Sequence, residues 1–211
     1  MYSASTDSME HAPTAAMTAE QLLAYGASGQ RTELVRGQLV VREPAGYQHG
    51  SITARILVRL ATFLERDQEA RAARHPLGEV LAAETGFTLQ RQPDTVRAPD
   101  MAFVAWERIP MASSVGFAEL APDLAVEVLS PNDRPHDVLA KVADWRAAGT
   151  ALVWVIDPTR RVARVYRADG SEAMVDESSA LAGEDILPGF SASLESLLGP
   201  PIRGQNATRT P

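Results

Sequence analysis

The chain of 211 residues contains no cysteine, which excludes a disulfide framework and any metal site built on thiolates. It also has no apolar run near the roughly 20 residues that a helix needs to span a bilayer. Its first residues, MYSASTDSMEHAPTAAM, lack the basic segment and the apolar core of a signal peptide. These absences predict a cytoplasmic protein with no membrane segment.

The chain also lacks an excess of positive charge. Its formal net charge is -7 at pH 7, whereas proteins that coat nucleic acid without sequence preference usually present a basic surface. The composition therefore argues against a coating protein, but it leaves room for a local basic cleft. The length predicts a single domain with a substantial core.

Lysine is nearly absent. Of the 20 basic residues, 19 are arginine and one is Lys141. A single lysine in such a chain has two interpretations of equal weight. Position 141 either requires a compact ammonium that can approach one oxygen closely, or it is a surface lysine that remains by chance.

The pattern of apolar and turn residues predicts an α/β (mixed α+β) domain with a central mixed sheet flanked by helices. The predicted helices are a short one opened by the capping-box pair Thr18 and Gln21, a long one over 50–71, and one over 138–148 capped by Asp137. The predicted strands are a hairpin over 33–41 around Gly37 and runs at 79–90, 100–106, 124–129, 151–157 and 161–167. Residues 17–199 form the predicted domain, and 1–16 and 200–211 are predicted to be disordered tails.

The run LAPDLAVEVLSP places Glu127 inside a strand that has no polar alternation. A continuous apolar run of this kind is typical of a strand covered on both faces. Burial of an unpaired carboxylate would destabilise the fold by several kcal/mol, on the order of the penalty for other buried ions. Glu127 therefore needs a cation, a proton or access to water.

Two APD tripeptides precede apolar runs and contain Asp100 and Asp123. Asp123 and Glu127 would lie about 13 Å apart along one strand at ~3.3 Å per residue, too far to share an ion. Asp100 lies on another strand and can be adjacent to Glu127. This pair predicts a site for Mg²⁺ or Mn²⁺, which prefer oxygen ligands. The alternative is that Glu127 pairs with an arginine or with Lys141.

Lys141 borders the apolar stripe of its predicted helix, so its side chain can point towards the sheet and Glu127. Two carboxylates, a metal and an ammonium form a site that can hydrolyse a phosphodiester. The metal would lower the pKa of a water molecule, and the lysine would orient the nucleophile or offset charge.

The motifs ELVRGQLVV, RAPDMAFV, PDLAVEVLSP, DVLAKVADW and GTALVWVIDP, in this order and with His49 opening a helix, resemble the Uma-two family of restriction endonucleases. That family belongs to the PD-(D/E)XK nuclease superfamily. The resemblance extends from about Met17 to Leu198. It implies a restriction-endonuclease-like core and a Mg²⁺- or Mn²⁺-dependent endonuclease that cleaves nucleic acid, with DNA as the expected substrate.

The resemblance also implies the roles of individual residues. Asp100 and Glu127 would be metal ligands, with the backbone carbonyl of Val128 as a third. The usual superfamily lysine position is Leu129, and the lysine has moved to Lys141 on the following helix. The further site residues that the resemblance implies are Glu33, as an additional acid, and His49, as a proton-transfer or phosphate-contacting group. His49 is equally well explained as a helix-start residue bonded to backbone, and Trp145, where tyrosine is more usual, is interpreted as packing.

Two other functions are consistent with the sequence. One is a catalytically silent module that binds nucleic acid or protein on the same fold, which the acidic charge favours slightly. The other is a small-molecule hydrolase with the same metal site. A homodimer is predicted only by analogy with nucleases that act on both strands.

Overall fold

A computed structural model describes residues 16–25, 31–72, 75–82, 85–110 and 116–201. The helices are α1 (Ala19–Tyr25), α2 (Tyr47–Ala70), α3 (Pro135–Ala147) and α4 (Leu194–Leu198). The strands are β1 (Arg31–Val35), β2 (Gln38–Arg42), β3 (Gly78–Ala82), β4 (Phe87–Gln90), β5 (Thr95–Arg97), β6 (Met101–Ala105), β7 (Leu124–Val128), β8 (Leu152–Asp157), β9 (Val162–Arg167), β10 (Glu172–Asp176), β11 (Ala180–Ala182) and β12 (Ser191–Ser193).

A six-stranded sheet in the order β10-β9-β8-β7-β6-β3 forms the centre of the fold. Strands β7 and β8 are parallel, and α3 is the crossover between them, whereas the other neighbours in this sheet are antiparallel. A four-stranded antiparallel sheet has the order β2-β1-β5-β4, and β11 pairs with β12. The sheet is therefore mixed, as predicted.

Helices cover both faces of the central sheet. Helix α2 packs on one face through Ile52, Ile56, Leu60 and Leu64, which share a core cluster with Val126 and its neighbours. The opposite face forms a second cluster that includes the α3 residues Val142 and Trp145. All five residues of β7 are buried, which confirms the interpretation of its continuous apolar run.

The side-chain alternation along the strands brings the two predicted carboxylates to one face. Met101 and Val126 face α2. Their strand neighbours Ala102, which follows Met101, and Ala125, which precedes Val126, face α3. Because side chains alternate between faces, Asp100 and Glu127 also belong to the face that carries α3. Lys141 lies on that same helix.

The hairpin around Gly37 is confirmed. Glu33 of β1 pairs with Val40 of β2, and Gly37 has φ +78, a left-handed value that glycine adopts without a Cβ clash. Strand β1 also pairs with β5 through Leu34 and Val96. From β5 the chain passes through Ala98 and Pro99 to Asp100, so the small sheet leads directly into β6 of the central sheet.

Both hydrogen bonds of the predicted capping box at the start of α1 are present. The Thr18 amide donates to the Gln21 side chain at 2.8 Å, and the Gln21 amide donates to the Thr18 hydroxyl at 3.3 Å. The predicted cap of α3 is wrong, because the helix begins at Pro135 and Asp137 lies inside its first turn. Proline suits the first helical position, since its φ is already helical and it has no N–H to leave unpaired.

The single predicted strand over 79–90 is also wrong. The region contains β3, which belongs to the central sheet, and β4, which belongs to the small sheet. Gly86 lies before β4, and a Cβ there would approach the ring of Phe117 to 2.3 Å. The sequence pattern did not indicate the break, because apolar residues occur on both sides of it: Val80 and Leu81 in β3, and Phe87 and Leu89 in β4.

The predicted disordered tails fall outside the described residues, except for 16, 200 and 201. Within the described ranges, no helix has the length and apolar character needed to cross a membrane.

Asp123 stabilises the junction between β6 and β7. Its Oδ2 accepts the amide of Ala105 at 2.8 Å, and its Oδ1 accepts a hydrogen bond from Arg108, which also donates to the carbonyl of Ala121 at 2.8 Å. These contacts support the structural role that the sequence predicted for Asp123.

We expect Asp123→Ala to lower the free energy of unfolding by about 1–3 kcal/mol, because a backbone amide and a guanidinium lose their acceptor. Urea denaturation at pH 7 measures this change. The control is Asp185→Ala at an exposed aspartate, which should change stability by less than about 0.5 kcal/mol. Equal losses in the two variants would contradict the structural role of Asp123.

Candidate active site

A cleft of about 950 Å³ opens between the β1–β2 hairpin, the start of α2, and the ends of the strands β6 and β7. All six residues that the sequence singled out line this cleft: Glu33, His49, Asp100, Glu127, Val128 and Lys141. Residues from five separate elements therefore meet in one place: β1, α2, the start of β6, β7 and α3.

Asp100, directly before β6, lies beside Glu127 of β7. The register pairs Met101 with Val126, which places the residue before Met101 next to the residue after Val126. The Val128 amide donates to Asp100 Oδ2 at 2.7 Å, which holds the two strand ends together. Both carboxylates are buried. The predicted adjacency of the pair is present in the structure.

Two basic side chains of the cleft, His49 and Arg31, approach the carboxylate of Asp100. His49, in the first turn of α2, places Nε2 at 3.0 Å from Asp100 Oδ2. Arg31 at the start of β1 places Nη2 at 3.7 Å from Asp100 Oδ1. His49 therefore contacts a carboxylate with its side chain, and its Nδ1 is buried with no hydrogen-bond partner.

Glu127 is held by two residues of α3. The Lys141 ammonium donates to Glu127 Oε2 at 2.9 Å, and the Trp145 indole donates to Glu127 Oε1 at 3.0 Å. Burial raises the pKa of Glu127, and repulsion from Asp100 and Glu33 adds to this rise, although Lys141 opposes it. The pairing with Lys141, which the sequence left as an alternative to a metal, is present in the structure.

Glu33 is almost fully buried, with 3% of its surface exposed. Its Oε2 accepts from Arg97 at 3.0 Å and from Arg42 at 3.1 Å, and its Oε1 accepts the amide of Ala98 at 3.3 Å. The Lys141 ammonium lies 3.5 Å from Oε1. Burial opposes ionisation of Glu33, but attraction to Lys141, Arg97 and Arg42 outweighs it and lowers the pKa of this carboxyl.

Lys141 therefore lies between two carboxylates. Burial alone would lower the pKa of its ammonium, but the attraction of Glu127 and Glu33 is larger, so the pKa of Lys141 is raised above its ordinary value. The ammonium is retained at neutral pH. The prediction that Lys141 points from α3 towards the sheet is confirmed.

Sequence reasoning missed Arg97. Its guanidinium is buried and connects Glu33 to Asp144 of α3, with Nε at 2.9 Å and Nη2 at 2.5 Å from Asp144 Oδ2. One signal was available, because Lys141, Asp144 and Trp145 have the i, i+3, i+4 spacing of a single helix face. The partner on the sheet was not predictable, since any of 19 arginines could have supplied it.

The role assigned to Trp145 from the sequence was incomplete. Its ring is fully buried and packs edge-on against Phe87, with centroids 6.1 Å apart. Its indole N–H also binds Glu127. A tryptophan can do both because it has a large apolar ring and a single polar donor.

The residues present fit a hard divalent cation. The described part of the chain has no cluster of three or more histidine or acidic side chains arranged to hold a metal. Mg²⁺, however, is commonly held by one or two carboxylates, with water and substrate phosphates completing its shell. Asp100 and Glu127 are adjacent, buried and mutually repulsive, which is the arrangement that a cation between them would stabilise.

The chain matches the model of the Uma2 family, described as “Putative restriction endonuclease”, over residues 19–195. No curated protein matches it. The fold is similar to a crystal structure of a protein from Anabaena variabilis ATCC 29413, described as “a putative nuclease belonging to DUF820”. The TM-score is 0.73 at 18% identity, covering 86% of this chain and 97% of that chain. The predicted fold class is confirmed by this similarity.

We expect Trp145→Phe to lower the free energy of unfolding more than Trp154→Phe does, by about 1–3 kcal/mol, because a buried carboxylate loses a hydrogen bond. Trp154 is an apt control because it is equally buried and its indole nitrogen has no partner. Both variants lose the same volume. Guanidinium denaturation at pH 7 measures the difference, and equal losses would show that the bond to Glu127 contributes nothing measurable.

Proposed function

The chain belongs to the Uma2 family, and from that premise we propose that it is a metal-dependent nuclease that hydrolyses phosphodiester bonds of nucleic acid, with DNA as its substrate. One observation carries the proposal. Two buried carboxylates, Asp100 directly before β6 and Glu127 in the adjacent β7, line one cleft with the only lysine of the sequence, which binds Glu127. This is the catalytic set that a PD-(D/E)XK nuclease requires.

Asp100 and Glu127 would hold Mg²⁺ or Mn²⁺, together with the backbone carbonyl of Val128. The bound cation would lower the pKa of a water molecule and offset the charge that develops on the phosphate. Lys141 would orient the attacking water and stabilise negative charge in the transition state. His49, next to Asp100, would transfer a proton or contact the phosphate, and Glu33 would complete the site.

The charged residues that line the cleft are Arg31, Arg42 and Lys141 together with the acids Glu33, Glu43, Asp100, Glu127 and Asp133. Arg31 and Arg42 are more exposed than the carboxylates they contact, Asp100 and Glu33. A phosphate in the cleft would therefore contact these two guanidinium groups, and a divalent cation at Asp100 and Glu127 would offset part of the negative charge of the cleft. Dimerisation stays a prediction.

We expect Mn²⁺ to bind saturably to the wild type in calorimetric titration and not to Glu127→Gln or Asp100→Asn, because each variant loses one charged ligand. Asp123→Asn is the matched control, since Asp123 occupies the same APD motif and its side chain contacts Ala105 and Arg108 outside the cleft. Its Mn²⁺ affinity should equal that of the wild type. Absence of binding to the wild type would favour a silent binding module.

Cleavage is then tested with supercoiled plasmid, single-stranded DNA and RNA in the presence of Mg²⁺ or Mn²⁺. We expect Lys141→Arg to bind Mn²⁺ but to cleave about 10²–10³-fold more slowly than the wild type, which is the range for removal of one transition-state donor. A guanidinium has the same charge but cannot approach a single oxygen as closely. Full activity in Lys141→Arg would contradict the catalytic role of the lysine.

A further inference from the structure

The Lys141 ammonium touches two carboxylates at once. It lies 2.9 Å from Glu127 Oε2 and 3.5 Å from Glu33 Oε1, and 17% of the lysine side chain is exposed. Both distances are within ion-pair contact. A lysine side chain has several rotatable bonds, so rotation about them can bring the ammonium closer to Glu33.

The two carboxylates differ in what else they bind. Glu127 has one oxygen on the Trp145 indole and the other on Lys141. A divalent cation that binds Glu127 at Oε2 would therefore meet the ammonium at the same oxygen. Two cations within about 4 Å repel each other strongly in a partly buried site. If a cation were held at Oε2, this repulsion would favour movement of the ammonium away from that oxygen.

Glu33 is the second carboxylate within reach of the ammonium. Its Oε2 is already bound by Arg97 and Arg42, so only Oε1 faces Lys141. Arg97 also binds Asp144, which follows Lys141 by three residues on α3. Through Arg97, the receiving carboxylate is fixed to the same helix that carries the lysine.

We propose that metal binding transfers the Lys141 ammonium from Glu127 to Glu33, so that Glu33 is the counter-ion that positions Lys141 and is not a metal ligand. This inference rests on the proposed function, because it presupposes a divalent cation at Asp100 and Glu127. It assigns Glu33 as a positioning residue. It also makes Lys141 a resident cation that competes with the metal and thereby weakens metal binding.

The test is calorimetric titration of Mn²⁺ at pH 8, where protons compete least with the metal, into variants whose folding is checked by circular dichroism. Lys141→Met removes the competing charge and keeps most of the side-chain length. We expect it to bind Mn²⁺ at least about tenfold more tightly than the wild type, equivalent to about 1.4 kcal/mol. Lys141→Arg, the charge-retaining control, should not bind more tightly. Equal or weaker binding by Lys141→Met would overturn the transfer.

A double-mutant cycle then separates the two roles of Glu33. If Glu33 receives the ammonium, Glu33→Gln weakens Mn²⁺ binding clearly in the wild type and several-fold less in the Lys141→Met background. If Glu33 were a metal ligand, the loss would be the same in both backgrounds, and the proposal would be overturned. Should Glu33→Gln not fold, the comparison of Lys141→Met with Lys141→Arg decides the question.

The outcomes distinguish this inference from the proposed function. Binding of Mn²⁺ to the wild type without tightening in Lys141→Met would refute the transfer and leave the metal site at Asp100 and Glu127 intact. Failure of both the wild type and Lys141→Met to bind Mn²⁺ would refute the two proposals together.

Discussion

The structure of the cleft depends on one constraint, which is that Glu127 is a carboxylate inside a strand covered on both faces. A buried charge of this kind is tolerated only if other groups compensate it. Among the residues that the structure describes, the side chains that hydrogen-bond to Glu127 both belong to α3: the ammonium of Lys141 and the indole of Trp145. The position of this helix over the sheet is therefore tied to the charge of one residue in β7.

Helix α3 organises the rest of the site. Lys141, Asp144 and Trp145 lie on one of its faces. Lys141 and Trp145 bind the two carboxylate oxygens of Glu127, and Asp144 binds Arg97. Asp144 orients Arg97, and Arg97 in turn holds Glu33 beside Lys141. The alternation of acids and bases satisfies each buried charge with an opposite one. A single helix thus sets the relative positions of residues from three separate strands.

The burial of the charged groups bears on how an acidic protein could bind phosphate. Glu33, Asp100 and Glu127 line the cleft but are buried, whereas Arg31 and Arg42 are partly exposed. A phosphate that enters would contact these two guanidinium groups before the buried carboxylates. A divalent ion between Asp100 and Glu127 would then add positive charge where the carboxylates now repel each other. Under the proposed transfer, Lys141 would remain close enough to act on the same phosphate.

The sequence by itself determined which residues were candidates for the site and most of the elements around it. Glu127 in an apolar run, Asp100 before a strand and the single lysine are local facts, and the capping box of α1 and the hairpin at Gly37 depend only on neighbouring residues. The tertiary structure decided which opposite charges meet. Arg97 reaches both Glu33 and Asp144 across 64 and 47 positions of the chain. No local pattern specifies contacts at such separations, because they arise only when the sheet and α3 pack together.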